Sequence, residues 1–226
     1  MAGDSVSDLE AGAVLQTMID AIHREAKHLS EIDGAIGDGD HGINMDKGFQ
    51  KCAERLRARP VGMIGGLAVL GDVLISEIGG SMGPLYGTLF LEMSEGGKAR
   101  AVTARAGDAR IDAQTFGGML DRASSAVRDL SGAQVGDKTI LDALVPAVEA
   151  YRGAVASGQS FANALGALRD AAQKGMESTR DLVARVGRSS RLGDRSRGTL
   201  DAGAASCALL LGAMADALRP LIRSSR

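Results

Sequence analysis

The feature that most constrains this chain is the spacing of its apolar residues. They recur at steps of three and four through most of the sequence, while strict alternation over a strand length is hard to find. That spacing predicts an all-α fold. Leu15, Met18, Ile22 and Leu29 mark a first helix, and Met45, Phe49, Cys52 and Leu56 mark a second that begins just after a Gly/Asp loop. A third is expected over about residues 60–76, starting at Pro60. A fourth starts near Pro84, whose missing N–H suits a first helical turn, and ends near Gly96 and Gly97. Phe116, Leu120, Ala123, Val127 and Leu130 set a fifth, and Leu141, Leu144, Val148 and Tyr151 a sixth. A long seventh is expected from Phe161 to about Arg185. The eighth begins at Asp201, an acceptable N-cap, and runs through Ala205, Leu209 and Met214 towards Leu218.

Eight helices in 226 residues fit a single large domain spanning residues 1–226. With 3% aromatic residues and no Trp, the core must be largely aliphatic. A formal net charge of -2 gives no basic field to draw the chain to a phosphate backbone, which argues against nucleic-acid binding. The longest apolar stretch, around residues 202–214, is too short to span a bilayer and reads as a core helix, so no membrane is expected. The opening residues are acidic where a signal peptide would be basic, so the expected location is cytoplasmic. Cys52 and Cys207 lie far apart among apolar residues and read as buried free thiols. Nothing near His23 or His28 completes a ligand set, and no Ser-His-Asp or Cys-His set supports covalent catalysis, so no catalytic side chain is expected.

Two segments break the helical period, residues 98–114 and residues 187–203. The second, GRSSRLGDRSRGTLDAG, carries Arg188, Arg191, Arg195 and Arg197. A solvated charge run is one reading of it; a lid that meets phosphate or an acidic partner is the other.

The most informative stretch is DGAIGDGDHGINM, which brings Asp33, Asp38 and Asp40 together just before an amphipathic helix. Crowded carboxylates repel one another, and oxygen-only ligands suit a hard cation such as Mg²⁺ or Ca²⁺. The calcium EF-hand pattern fails, because Ile43 and Phe49 stand where it needs Gly and Glu. An acidic loop beside a phosphate site fits Mg²⁺ better. The plainer reading is that Asp and Gly make turns and cap the next helix; the trio together with His41 and Asn44 favours the metal. GGSMGPLYGT, at residues 79–88, is either a phosphate-binding helix entrance or a tight interhelical turn. VGDKTILDALVPA, at residues 135–147, superficially suggests a Walker loop, but its spacing is wrong and no strand precedes it, leaving Asp137 and Thr139 as helix-capping residues.

Taken together and in order, GDGDHGINM, GGSMGPLYGT, VGDKTILDALVPA and GRSSRLGDRSRGTLDAG resemble the nucleotide-binding L-subunit (DhaL) family of dihydroxyacetone kinases, from about Leu9 to Leu218. The resemblance implies a barrel of eight antiparallel helices with the nucleotide in loops at one end. It implies that Asp33, Asp38 and Asp40 coordinate two Mg²⁺ ions on the phosphates of ADP or ATP. By the same resemblance His41, Gly42, Ile43 and Asn44 line the nucleotide, with Ser81 and Met82 at the phosphate-side helix entrance. Gly132 and Ile140 lie near the adenine, and Arg188 with Asp201, Ala202 and Gly203 closes over it. Two departures stand out. The family commonly has a small hydroxylic residue or Ser-Gly where Met82 stands, and a His-x-Asp-Pro-Gly lid where this chain reads Thr199-Leu200-Asp201-Ala202-Gly203.

The family resemblance implies a phosphotransferase whose sugar sits on a separate, DhaK-like K-subunit, so catalysis here is electrostatic and positional. A phosphotransferase-system protein (DhaM-like) recharging bound ADP is the expected donor, because no fused sugar domain is seen. An ATP-dependent two-subunit kinase for a triose or a tetrose such as erythrulose is the alternative, and a homodimer stays open. A metal-dependent phosphohydrolase and a non-enzymatic adaptor with a structural ion are the competing classes.

Overall fold

The computed structural model describes residues 4–58, 61–101 and 109–224. The expected helix start at Pro60 lies outside them, as does part of the 98–114 break. Among the described residues the chain forms a one-turn helix α1 (Asp8–Ala11) and then eight long helices: α2 (Ala13–Ile36), α3 (His41–Ala58), α4 (Met63–Glu77), α5 (Met82–Ala101), α6 (Ala113–Ser131), α7 (Leu141–Ala156), α8 (Phe161–Ser178) and α9 (Ala202–Leu218). The eight-helix expectation therefore holds for the long elements. Each packs on its sequence neighbour, and α9 packs back on α2, so the staves close into a ring. Helices joined in this order by short connections run antiparallel. Alternate connections then fall at the same end: those between α2 and α3, α4 and α5, α6 and α7, and α8 and α9.

The other end holds an element that the apolar period did not announce. Strands β1 (Asp4–Ser7), β2 (Arg110–Asp112) and β3 (Arg223–Ser224) form a small antiparallel sheet in the order β2-β1-β3. Strands of two to four residues are too short to display a period of two. Val6 and Ile111, cross-strand partners, are fully buried and tie the chain's beginning to the start of α6. Asp8 then accepts from the Ile64 N–H at 2.8 Å, near the start of α4.

Two boundaries differ from expectation. α5 does not stop at Gly96 and Gly97 but runs to Ala101. Those glycines are there for close packing: a Cβ on Gly96 would lie 2.9 Å from the Met119 Cα, and one on Gly97 2.7 Å from Ile64 Cγ1. α8 stops at Ser178 rather than Arg185, passing through a single 3₁₀ turn (Thr179–Asp181) into extended backbone at Leu182. The apolar period continues there because Ala184 is buried under a loop, not because the helix does.

The core is mostly aliphatic, as the composition requires, yet all six aromatic residues lie in it. Phe49, Tyr86 and Phe90 form one cluster; Phe116, Tyr151 and Phe161 form another. Cys52 and Cys207 are buried free thiols. The stretch Ala202–Leu221 is long and apolar enough to cross a membrane by composition, but half of it is buried within the protein, where it is one stave of the ring.

Glycine also sets how closely α7 and α8 meet. Pro146 inside α7 has no N–H to offer the Asp142 carbonyl. Gly175 of α8 approaches that carbonyl so closely that a Cβ would sit 2.1 Å from its oxygen. Gly166, in the same helix, faces open space. Gly175→Ala should therefore lower stability by about 1–3 kcal/mol through overpacking. Gly166→Ala should raise it by roughly 0.5–1 kcal/mol through the backbone entropy of the unfolded chain. Urea midpoints of the two variants check the opposite signs.

Candidate nucleotide and metal site

The four same-end connections surround a cleft of about 710 Å³. Its first wall is the corner between α2 and α3. Asp33 lies in the last turn of α2; the chain turns through Gly37, Asp38, Gly39 (φ 79°) and Asp40, and α3 begins at His41. The Asp33 carboxylate accepts from the His41 N–H at 3.3 Å, and the Asp40 carbonyl from the Asn44 N–H at 2.9 Å. The turn therefore does cap α3, as the plainer reading held. It also does more. Carboxylate oxygens of Asp33, Asp38 and Asp40 all lie within 4.8 Å of one another. Glycine makes this corner sterically possible: a Cβ on Gly37 would lie 2.4 Å from Asp33 Oδ1, and one on Gly42 1.8 Å from the Ala26 carbonyl oxygen. Three converging anionic oxygens, with no sulfur or ring nitrogen among them, form a donor set for a hard divalent cation.

The second wall is Gly79, Gly80 and Ser81 leading into α5, with Met82 opening the helix, Pro84 in its first turn and Gly80 in the left-handed region at φ 73°. The third is the connection from α6 to α7, which starts at Gly132 (φ 63°) and passes Lys138 (φ 64°) to Ile140. Asp142 pins this turn, accepting from the N–H groups of Gly136 and Thr139 at 2.6 Å each. The fourth is the long connection from α8 to α9, including a 3₁₀ stretch (Arg188–Ser196), from which Arg188 reaches across to form an ion pair with Asp38. The arginine-rich segment therefore touches the acidic turn.

Beneath the cleft lies a buried hydrogen-bond network. His41 Nε2 and Ser206 Oγ are 2.8 Å apart, Ser206 Oγ and the Tyr86 hydroxyl 2.5 Å, and the Tyr86 hydroxyl donates to the Gly203 carbonyl at 2.9 Å. It joins α3, α5 and α9 directly under the acidic turn. Burial pushes the His41 imidazole down to about 4 against the opposing pull of Asp33, so at neutral pH the ring is uncharged. Asp201, the N-cap of α9, accepts from the Ala204 N–H at 2.7 Å. Burial, reinforced by the Asp142 and Asp33 charges, pushes its carboxyl up to about 7, against the Ala204 hydrogen bond and Lys138.

The structure brings together twelve of the residues singled out from the sequence: Asp33, Asp38, Asp40, His41, Asn44, Ser81, Met82, Ile140, Arg188, Asp201, Ala202 and Gly203 all line the cleft. Three do not. Gly42 is buried against α2, the Ile43 side chain is 65% exposed on the outside of α3, and Gly132 serves as the left-handed cap of α6. The Walker-like stretch meets the capping expectation in part. Thr139 does cap, its Oγ1 accepting from the Leu141 N–H at 3.2 Å, but Asp137 accepts from the Gln134 N–H within its own turn, and Asp142 holds the turn ahead of α7. Sequence reasoning missed Tyr86, Lys138, Asp142 and Ser206. The available signal was a polar residue within an otherwise apolar run, as at Asp142 in ILDAL and Ser206 in the 202–214 stretch.

Comparison with known proteins agrees with this geometry. The DAK2 domain family matches residues 35–216. The ADP-binding subunit DhaL of PEP-dependent dihydroxyacetone kinase 2 of Listeria innocua is 32% identical over 215 residues, covering 93% of this chain and 95% of that protein. Its Escherichia coli counterpart is 34% identical over 203 residues, covering 88% and 92%. A D-erythrulose kinase of Mycolicibacterium smegmatis is 35% identical over 221 residues, but the chain spans only 37% of that longer protein. The crystal structure of the dihydroxyacetone kinase from C. freundii, in complex with AMP-PNP and Mg²⁺, superposes with a TM-score of 0.65 at 24% identity over 91% of this chain and 33% of that one, which shows a shared fold. The order of the four loop motifs, the closed ring of eight long helices and these matches lead to one conclusion: the chain belongs to the DAK2 domain family, among the DhaL-type subunits of dihydroxyacetone kinases.

Proposed function

We propose that this chain is a single DhaL-like unit, cytoplasmic, that binds ADP or ATP with magnesium and passes phosphoryl to dihydroxyacetone held on a separate K-subunit. The observation that carries the proposal is the convergence of Asp33, Asp38 and Asp40 within 4.8 Å at a cleft of about 710 Å³, a volume in the range of small-ligand sites. Asp33, Asp38 and Asp40 would hold two Mg²⁺ ions. Magnesium, when bound, neutralises phosphate charge and aligns the transferred group. The chain's own residues supply the rest. His41 and Asn44 stand beside the carboxylates. Ser81 and Met82 at the α5 start would face the phosphates and Ile140 would border the adenine end, whereas Gly42, Ile43 and Gly132, which lie outside the cleft lining, would act only by shaping the backbone around it. Arg188 is placed to meet phosphate charge from the lid side, and Asp201, Ala202 and Gly203 form the rim beneath it.

Similarity over nearly the full length of PEP-dependent ADP-binding subunits supports a phosphotransferase-system protein as the donor that recharges bound ADP. Erythrulose as acceptor is the second reading, favoured by the Mycolicibacterium and Pectobacterium erythrulose kinases at 35% and 30% identity. Chain purified without added nucleotide and then denatured should release ADP. Steady phosphate release by the isolated chain would instead support a hydrolase, and saturable metal binding indifferent to nucleotide an adaptor. Products formed with each ketose in the presence of a K-subunit separate the two acceptors.

Asp38→Asn or Asp40→Asn should weaken Mg-dependent ADP binding by more than the roughly 10–100-fold that losing a group behind a metal ligand costs. Helicity should be retained. Calorimetry showing unchanged ADP affinity in both variants would overturn the site. A pH dependence follows from Asp201. Its folded-state value of about 7 exceeds the ordinary 3.8, so the folded chain binds the extra proton and stability is lost as pH rises between those values. Asn keeps the cap but does not titrate. The melting temperature of the nucleotide-free wild type should therefore fall relative to Asp201→Asn as pH rises through that window.

A further inference from the structure

Lys138 is the one buried cationic side chain among the described residues, 1% exposed, and the reaction outlined above gives it no task. Its ammonium donates to three backbone carbonyls: Thr179 at 2.7 Å, Leu182 at 3.3 Å and Thr199 at 2.6 Å. An ammonium has three N–H groups and no acceptor, so all three donors are used and none is left for a ligand. The carbonyls are not neighbours in sequence. Thr179 and Leu182 lie where the connection leaves α8, and Thr199 where it returns to α9. Lys138 therefore ties together the two ends of one long loop.

Other contacts close the same neck. The Gly198 N–H donates to the Arg180 carbonyl at 2.8 Å, and Arg180 Nη1 donates back to the Gly198 carbonyl at 3.2 Å. Beyond the neck, Val186, Gly187, Arg188 and Ser189 line the cleft, and Arg188 meets Asp38. The base of the tie is itself fixed. Lys138 sits at φ 64°, which a non-glycine residue adopts only when its surroundings impose it, and Asp142 holds the N–H groups of Gly136 and Thr139 on either side. The Arg185 N–H adds a second link, donating to the Asp137 carbonyl at 3.1 Å.

We propose that Lys138 is a positioning residue: it clamps the neck of the 179–199 segment, presents Arg188 to the acidic turn, and so sets how long a magnesium–nucleotide stays bound without touching it. The residence part rests on the nucleotide reading above; the clamp does not. Segments that cover a ligand act mainly on its dissociation, because they retain what has already arrived.

The test combines two readouts on the full chain. Trypsin cleavage at Arg188, Arg191, Arg195 and Arg197 is followed without nucleotide, and association and dissociation of a fluorescent ADP analogue are followed by stopped flow with Mg²⁺. Lys138→Met should speed cleavage and dissociation by about tenfold each, the effect of losing roughly one to two hydrogen bonds, with association within about twofold. Arg188→Ala should speed dissociation but leave cleavage at the other three arginines unchanged. If Lys138→Met does not fold, Lys138→Gln, which keeps two N–H donors, should show smaller changes in the same direction. Faster dissociation with unchanged cleavage would make Lys138 a ligand contact and overturn the clamp; no change in either readout would overturn it as well. A wild-type chain that fails to bind the analogue sinks the nucleotide reading and the residence role with it, while the cleavage comparison still decides the clamp.

Discussion

Three carboxylates cannot be crowded at one corner of a helical ring unless the backbone there is held against their repulsion. The corner between α2 and α3 is held by contact, not by countercharge alone. Gly42 brings α3 against the Ala26 carbonyl at a separation no side chain would permit, and Gly37 leaves room for the Asp33 carboxylate. Asp33 in turn caps the first N–H of α3. The glycines fix the backbone, the backbone fixes the carboxylates, and their common focus is what makes the corner a candidate cation site.

The rest of the cleft is built around that corner in two tiers. Below it, the contacts among His41, Ser206, Tyr86 and the Gly203 carbonyl lock α3, α5 and α9 together with groups that are uncharged at neutral pH. Above it, the arginine-bearing segment is anchored at its neck and, among the described residues, meets the acidic turn through the Arg188–Asp38 ion pair. A cross-linked floor and a tethered cover fit the proposed role of a nucleotide-holding subunit. The sheet at the opposite end joins the first and last described strands away from this region, leaving four connections free to serve the site.

Much of this was legible in the sequence, and the exceptions have physical causes. The eight long helices follow from apolar residues at three- and four-residue steps, although α9 is buried on every side over Ala204–Ala208. The ends of α5 and α8 were misjudged because Gly96 and Gly97 serve a neighbouring helix and because residues after Ser178 are buried without being helical. The acidic trio stood out because like charges gathered within one turn demand a reason. Lys138 did not stand out: its spacing fitted no phosphate loop, and its three carbonyl partners lie 41, 44 and 61 residues away.

The sequence by itself determined the helical class, the aliphatic core, the acidic turn and the family, since all of these are written in local periods, composition and short motifs. Only the tertiary structure decided which loops share an end, that Arg188 reaches Asp38, that Asp142 holds the turn ahead of α7, and that Lys138 closes the neck of the covering segment. The reason lies in range. A period or a motif reflects forces acting over a few residues, whereas a carbonyl's partner is settled by how eight packed helices close their ring.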